Sequence, residues 1–476
     1  MPRLRLIWVG LLMVGLGALA TAQDNSQPGA VPAPAFGQNA PVLNPENPPV
    51  SGIDEPGLEM KKASRSFISP AIQVGETVDS NENSQLNYSH VQPVSFVLGA
   101  FDLQKFWPQT DVFLEYLGGG AFQVQPTYDV KQIQALGFEG ITRWRTGFLE
   151  VRDAFNYLPQ GAFDLSTTEG LPGYGIALGV GTGEGVPGIM RFGGGNDEVG
   201  DISRLANTAV ANVVQAISPR AAFTILGAYG NAHFYDNCQT GSGSQPVTCL
   251  INSDETSVEG GYARLVSRRD QLAVVYAYQL FRFPYNTGGE VYNQVFNIRW
   301  SRTISGRMRL VVGLGPQYTS LKFGVIQNSW SLAGRALFSY RFERTSLALS
   351  WIKYTSSGLG YYAGANTQTA RLSIRRPLGR AYDLTAFLGY TRNERLQSPT
   401  ATDYDFGNDN EGTAGVILRR HLGRTYDLFA AYMFNDAAFD VPSGAPSCTG
   451  IGCGNTEVRH RGTVGLEWHP KPSRIE

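Results

Sequence analysis

Two stretches decide the fold: residues 380–390, RAYDLTAFLGY, and residues 424–434, RTYDLFAAYMF. Each follows a Leu-Gly pair, Leu378-Gly379 and Leu422-Gly423. In the first, Tyr382, Leu384, Ala386, Leu388 and Tyr390 fall at every second position, with Asp383, Thr385, Phe387 and Gly389 between them. In the second, Tyr426, Leu428, Ala430, Tyr432 and Phe434 alternate with Asp427, Phe429, Ala431 and Met433. Successive side chains of a strand project to opposite faces, so each run has one apolar and one more polar face. Alternating runs also stand on both sides of each stretch, so the unit is a hairpin used twice.

Relatives of this hairpin recur along the chain. Short polar turns bearing arginine lie at Arg220, Arg269, Arg307, Arg344, Arg380 and Arg424, spaced by 49, 38, 37, 36 and 44 residues. That repeat is two strands, one tight turn and one longer loop. Further alternating runs put Trp330, Leu332, Ala336, Phe338 and Tyr340 on one face, and Val464, Leu466 and Trp468 on another. Aromatics stand at both ends of two of these apolar faces, Tyr382 with Tyr390 and Trp330 with Tyr340, as on strands that cross a membrane at a tilt. The expected fold is therefore all-β: a transmembrane, antiparallel up-and-down β-barrel of about 16 strands over residues 110–470, with a tail at 471–476. An exported soluble sandwich is the alternative. Long strands and strict alternation of short turns with long loops favour the barrel.

Composition agrees. The chain has 476 residues, a formal net charge of −1, 17% charged residues, 11% aromatics and 56 glycines. Near-zero charge argues against a nucleic-acid-coating protein, and four cysteines against a disulfide-dense scaffold. Arg3 and Arg5, the apolar residues 6–19 and the small residues Ala20 and Ala22 read as a signal peptide over residues 1–22. No later apolar run is long enough for a membrane helix. Residues 23–109, proline-rich at first, are expected to be a largely disordered periplasmic lead. The expected location is the Gram-negative outer membrane, with the N-terminus in the periplasm.

Residues 150–159 (EVRDAFNYLP) and 207–230 (NTAVANVVQAISPRAAFTILGAYG) carry a resemblance. They resemble outer-membrane β-barrel proteins of Acidobacteria and related Gram-negative bacteria, of the porin type found with exosortase and exopolysaccharide gene clusters. The resemblance spans about residues 110–470 and implies an outer-membrane barrel without implying a substrate. Eight residues follow Trp468, a departure from the usual terminal aromatic signal for insertion.

The inward parity collects the candidate functional residues: Arg299, Arg335, Arg371, Arg375, Asp383, Arg419, Asp427, Arg459, Arg461 and Glu467 line the expected lumen. Unpaired arginines would favour anions, whereas a cross-strand ladder of Arg and acidic neighbours would neutralise them. Both readings stay open. The expected function is passive passage of small polar or anionic solutes. The alternatives are an export or accessory barrel of a polysaccharide locus, and a plugged structural or adhesive barrel. The glycine-rich loop 156–200 is a candidate constriction. Cys238 with Cys249 and Cys448 with Cys453 are expected to form two loop disulfides, since their spacing suits zinc poorly. No enzyme motif surrounds the five histidines, so neither catalysis nor a metal or cofactor is expected. Expected partners are outer-membrane lipid and the barrel-assembly machinery, with a homotrimer left open and nucleic acid excluded.

Overall fold

The computed structural model describes residues 66–80, 91–123, 129–159, 203–234, 251–284, 289–305, 307–323, 325–357, 363–396, 408–439, 456–471 and 473–474. The expected signal peptide, the proline-rich stretch to residue 65, the loop 160–202 and all four cysteines lie outside them.

The strands are β1 (Phe67–Asp79), β2 (Gln92–Phe106), β3 (Thr110–Gln123), β4 (Asp129–Trp144), β5 (Gly147–Pro159), β6 (Ser203–Ser218), β7 (Ala221–Phe234), β8 (Ser253–Leu265) and β9 (Asp270–Arg282). They continue with β10 (Glu290–Ser305), β11 (Met308–Phe323), β12 (Val325–Arg341), β13 (Ser346–Ser356), β14 (Ala365–Leu378), β15 (Tyr382–Arg395), β16 (Asp409–Leu422), β17 (Tyr426–Phe439), β18 (Thr456–Trp468) and the two-residue β19 (Ser473–Arg474). Neighbours in sequence from β1 to β18 pair antiparallel, and β1 also pairs with β18 from Ile72↔Trp468 to Asp79↔Arg461. The sheet thus closes on itself as an up-and-down barrel, which leaves neither terminal strand as a free edge.

Connections alternate between the two ends. At one end they are turns of two to four residues, such as 145–146 and 342–345; at the other they reach eighteen residues at 235–252 and more at 160–202. β1 starts and β18 stops at the short-turn end. The twin hairpins turn there through Gly379 (φ 80°) and Gly423 (φ 79°), left-handed conformations that glycine adopts without a steric penalty. The following strand closes each turn: His421 N–H donates to Ala381 O at 2.8 Å, and His469 N–H to Thr425 O at 2.9 Å.

The two faces of the wall are opposite to those of a soluble barrel. On β9, Leu272, Val274 and Tyr276 are exposed while Ala273, Val275, Ala277 and Gln279 are buried. On β18, Val458 and Val464 are exposed while Arg459, Arg461, Thr463 and Glu467 are buried. In a closed sheet the buried face is the inner one.

Sixteen of the eighteen long strands match the runs read from the sequence. The correction is at the N-terminus: β1 and β2 belong to the barrel, which begins at Phe67 and not at residue 110. Both strands hide their period. β1 carries Pro70, tolerated because its β18-side partners are Trp468 onward and, past a break, Ser473–Arg474, which leaves Pro70 itself without a partner on that side. β2 buries Val94, Phe96, Leu98 and Ala100 while also exposing Val97, so both faces read as apolar. The tail is corrected as well, since β19 extends the seam by pairing with Phe67 and Ile68.

The wall splits at one place. Described pairing between β12 and β13 stops at Gly334↔Lys353 although both strands run on toward the long-loop end. At the same level Pro316 lies opposite Leu332, and the β10–β11 ladder skips Phe296 and Asn297. Proline has no amide hydrogen to donate, so the ladder loosens there.

Candidate functional site: the inner face of the barrel

The ten residues singled out from the sequence come from β10, β12 and β14 to β18, and the structure puts all ten on the inner parity. Arg299 and Arg335 share one cross-strand row with Gly313 between them, and are 1% and 2% exposed. The missing side chain at Gly313 leaves room for both. Arg371 lies over the ring of Phe387, 5.1 Å from its centroid.

The remaining arginines are partners of carboxylates. Arg459 donates through Nε and Nη2 to both oxygens of Asp79, with Nη2–Oδ2 at 2.7 Å, and Arg461 Nε reaches the same Oδ2 at 3.1 Å. Arg419 stands 3.4 Å from Asp427 and 3.5 Å from Glu467. Arg375 is 3.8 Å from Asp383, and Arg152 pairs with Glu150 on β5. The ladder arrangement therefore accounts for Arg375, Arg419, Arg459 and Arg461. Among the fully buried charged residues acids outnumber arginines, with Glu255, Glu259, Asp409 and Glu411 in that set. The arginine bias seen in the sequence does not extend to the whole wall. Asp79, the shared acceptor at the seam, was missed because β1 was read as lead. Its only sequence signal was its parity with Gln73 and Thr77.

At the short-turn end, residues from five strands converge. His421 Nδ1 lies 2.8 Å from Asp427 Oδ1, and its Nε2 lies 3.2 Å from Asp383 Oδ2. His469 Nε2 stands 3.5 Å from Asp427 Oδ2. The neighbouring Asp427 carboxylate holds His469 above the usual imidazole range, against an opposing effect of burial. Gln73 of β1 donates to Glu467 Oε2 at 2.8 Å.

Toward the long-loop end the inner face is a continuous network of amides and hydroxyls. Gln279 donates to Glu255 at 2.6 Å, Asn293 to Gln279 at 3.3 Å, and Thr319 to Asn293 at 3.1 Å. Gln317 reaches Thr355 on β13, passing β12, at the wall's split. Thr367 donates to Asn393 at 2.8 Å, and Asn393 to Asp409 at 2.9 Å. Beside this network Phe281, Phe283, Val291, Leu321 and Ala363 form a buried apolar cluster, with Ile251 and Leu396 packed on it. These contacts join β9–β11 to the segments flanking β14 and β15 directly, at the level where β12 keeps its ladder with β11 and not with β13. The proposed constriction loop 156–200 lies almost entirely outside the described residues.

No protein-family model matches the chain, and no curated protein matches it. Among solved structures, Pseudomonas aeruginosa OccK2 (OpdF) in complex with glucuronate matches at 11% identity and a TM-score of 0.42, covering 84% of this chain and 98% of that one. A BenF-like porin from Pseudomonas fluorescens Pf-5 matches at 10% and 0.41, covering 85% and 99%. The ferric-catecholate import receptor Fiu from E. coli K12 matches at 10% and 0.41, covering 87% and 82%. At these scores the likeness is too low to carry a function.

Proposed function

We propose that the chain is an outer-membrane barrel of the porin type, through which small polar solutes pass down their gradients. The observation that carries this reading is the wall's distribution of polarity, with large apolar side chains exposed on its outer face and arginines, carboxylates and amides buried on its inner one. Exposed apolar side chains in water would be costly, whereas in hydrocarbon they are the stable choice, and closure leaves neither terminal strand as a free edge. Trp330 and Tyr340, ten residues apart on β12, would stand about 34 Å apart along a strand. On a strand tilted by about 40° that is about 25 Å of thickness, the height of the apolar band of such barrels. Short turns would face the periplasm, with lipid against the aromatic rows.

Charge selectivity is expected to be weak, because Arg375, Arg419, Arg459 and Arg461 have carboxylates as neighbours and buried acids outnumber buried arginines. A second reading, a plugged structural barrel, has its own support in the apolar cluster and hydrogen-bond network across the long-loop end. Planar-bilayer conductance of the purified protein separates the two. Stable open steps with a reversal potential close to zero in a salt gradient support a weakly selective channel. Silence under all voltages, with the protein folded and inserted, favours the plug.

A further inference from the structure

We propose that Asp427, Glu467 and His469 form a binding site for a borderline divalent cation of the zinc type, which clasps the barrel next to its closing seam. Asp427 and Glu467 are direct cross-strand partners on β17 and β18. Two like charges at such a position repel and call for a cation between them. One ligand atom from each of Asp427, Glu467 and His469 lies within 4.8 Å of the other two. Coordination bonds of about 2.0–2.2 Å require the set to draw in by only an ångström or so.

Two buried atoms of this cluster are left without a hydrogen-bond partner. Glu467 is 0% exposed, and while its Oε2 takes Gln73 and Arg419, its Oε1 has no hydrogen bond. His469 Nε2 is buried and likewise makes none, its nearest carboxylate oxygen being 3.5 Å away. A buried carboxylate oxygen without a hydrogen bond is costly as it stands, and carboxylate oxygen and imidazole nitrogen are both donors that zinc takes. His421 holds Asp427 through Oδ1, as an orienting neighbour of a metal ligand does. Arg419 lies at 3.4 and 3.5 Å from the two carboxylates, longer than a tight charge-assisted contact of about 2.7–2.9 Å. Its guanidinium is a loose occupant that the cation would displace. The sequence hid this set because Asp427 lies 40 positions before Glu467, on the neighbouring strand, with no local spacing motif.

The inference is independent of the channel reading. Its test uses the full chain purified in detergent, stripped with a chelator and titrated with zinc chloride at mildly alkaline pH. Calorimetry and elemental mass spectrometry would read about one bound zinc per chain, with magnesium failing to compete. Glu467→Gln and His469→Gln should each weaken binding at least about tenfold. Arg419→Gln should bind zinc at least as tightly as the unaltered protein, since its competing charge is gone. Absence of zinc from both the unaltered protein and Arg419→Gln overturns the proposal. So does undiminished binding by His469→Gln, which would place the ion elsewhere. Circular dichroism reports whether each variant keeps its sheet. If Glu467→Gln does not fold, His469→Gln, which lies beyond the last long strand, and Arg419→Gln decide the matter together.

Discussion

Gly423 and Gly379 show how single residues set the period of the wall. Each stands in the left-handed region at a three-residue turn, and nothing crowds a methyl group built on either. A substitution there therefore meets a backbone penalty and no clash. Gly423→Ala is expected to lower stability by about 1–2 kcal/mol, read from urea unfolding in detergent or lipid. An unchanged midpoint would show that the turn relaxes. At this scale the sequence was highly legible: the parity of Arg419, Asp427 and Glu467 followed from a period of two. What it could not show is which carboxylate meets which arginine. That depends on register, and register joins Asp79 to Arg461 from opposite ends of the chain.

At the scale of elements, legibility followed contrast between faces. β15 and β17 follow the Leu-Gly turns and keep Asp383 and Asp427 on the inner parity, which marks their faces even though Phe387, Phe429 and Met433 are also buried inside. β2 buries Phe96 and Leu98 inside as well, which erased the alternation, and Pro70 masked β1. The outward face of β15 gives a direct test of the membrane reading. Leu388 is 56% exposed at mid-strand, and Leu388→Arg is expected to cost about 2–4 kcal/mol in a bilayer. Leu422→Arg, at the short-turn end of β16, should cost about 0–1 kcal/mol. Equal costs in a folding assay with lipid vesicles would contradict a depth-dependent outer face. Inside, Asp79 links β1 to β18 through both Arg459 and Arg461. Asp79→Ala withdraws the carboxylate from two buried guanidiniums, so a loss on the order of 3 kcal/mol is expected. A loss below about 1 kcal/mol would mean that the seam rests on its backbone ladder alone.

For the whole molecule, the boundary of the barrel is the most consequential correction. Because β1 completes the wall, a variant that keeps residues 1–22 and lacks residues 23–65 should still insert and resist unfolding. A variant lacking residues 23–79 loses the strand that pairs with both β2 and β18. It should fail to reach the outer membrane folded, as fractionation and protease protection would show. Survival of the second variant would mean that β2 and β18 can close the wall directly.

The seam has a further consequence for the order of events in folding. Gln73 and Glu467 meet across 394 positions, whereas every other long-strand ladder joins sequence neighbours. Hairpins along the chain can form locally and early, yet the first strand has to wait for the last. Until β18 arrives, two open strand edges can recruit other chains. Completion is thus timed by delivery of the final strand, and a catalyst that holds those two edges apart from other chains would act on this one late step.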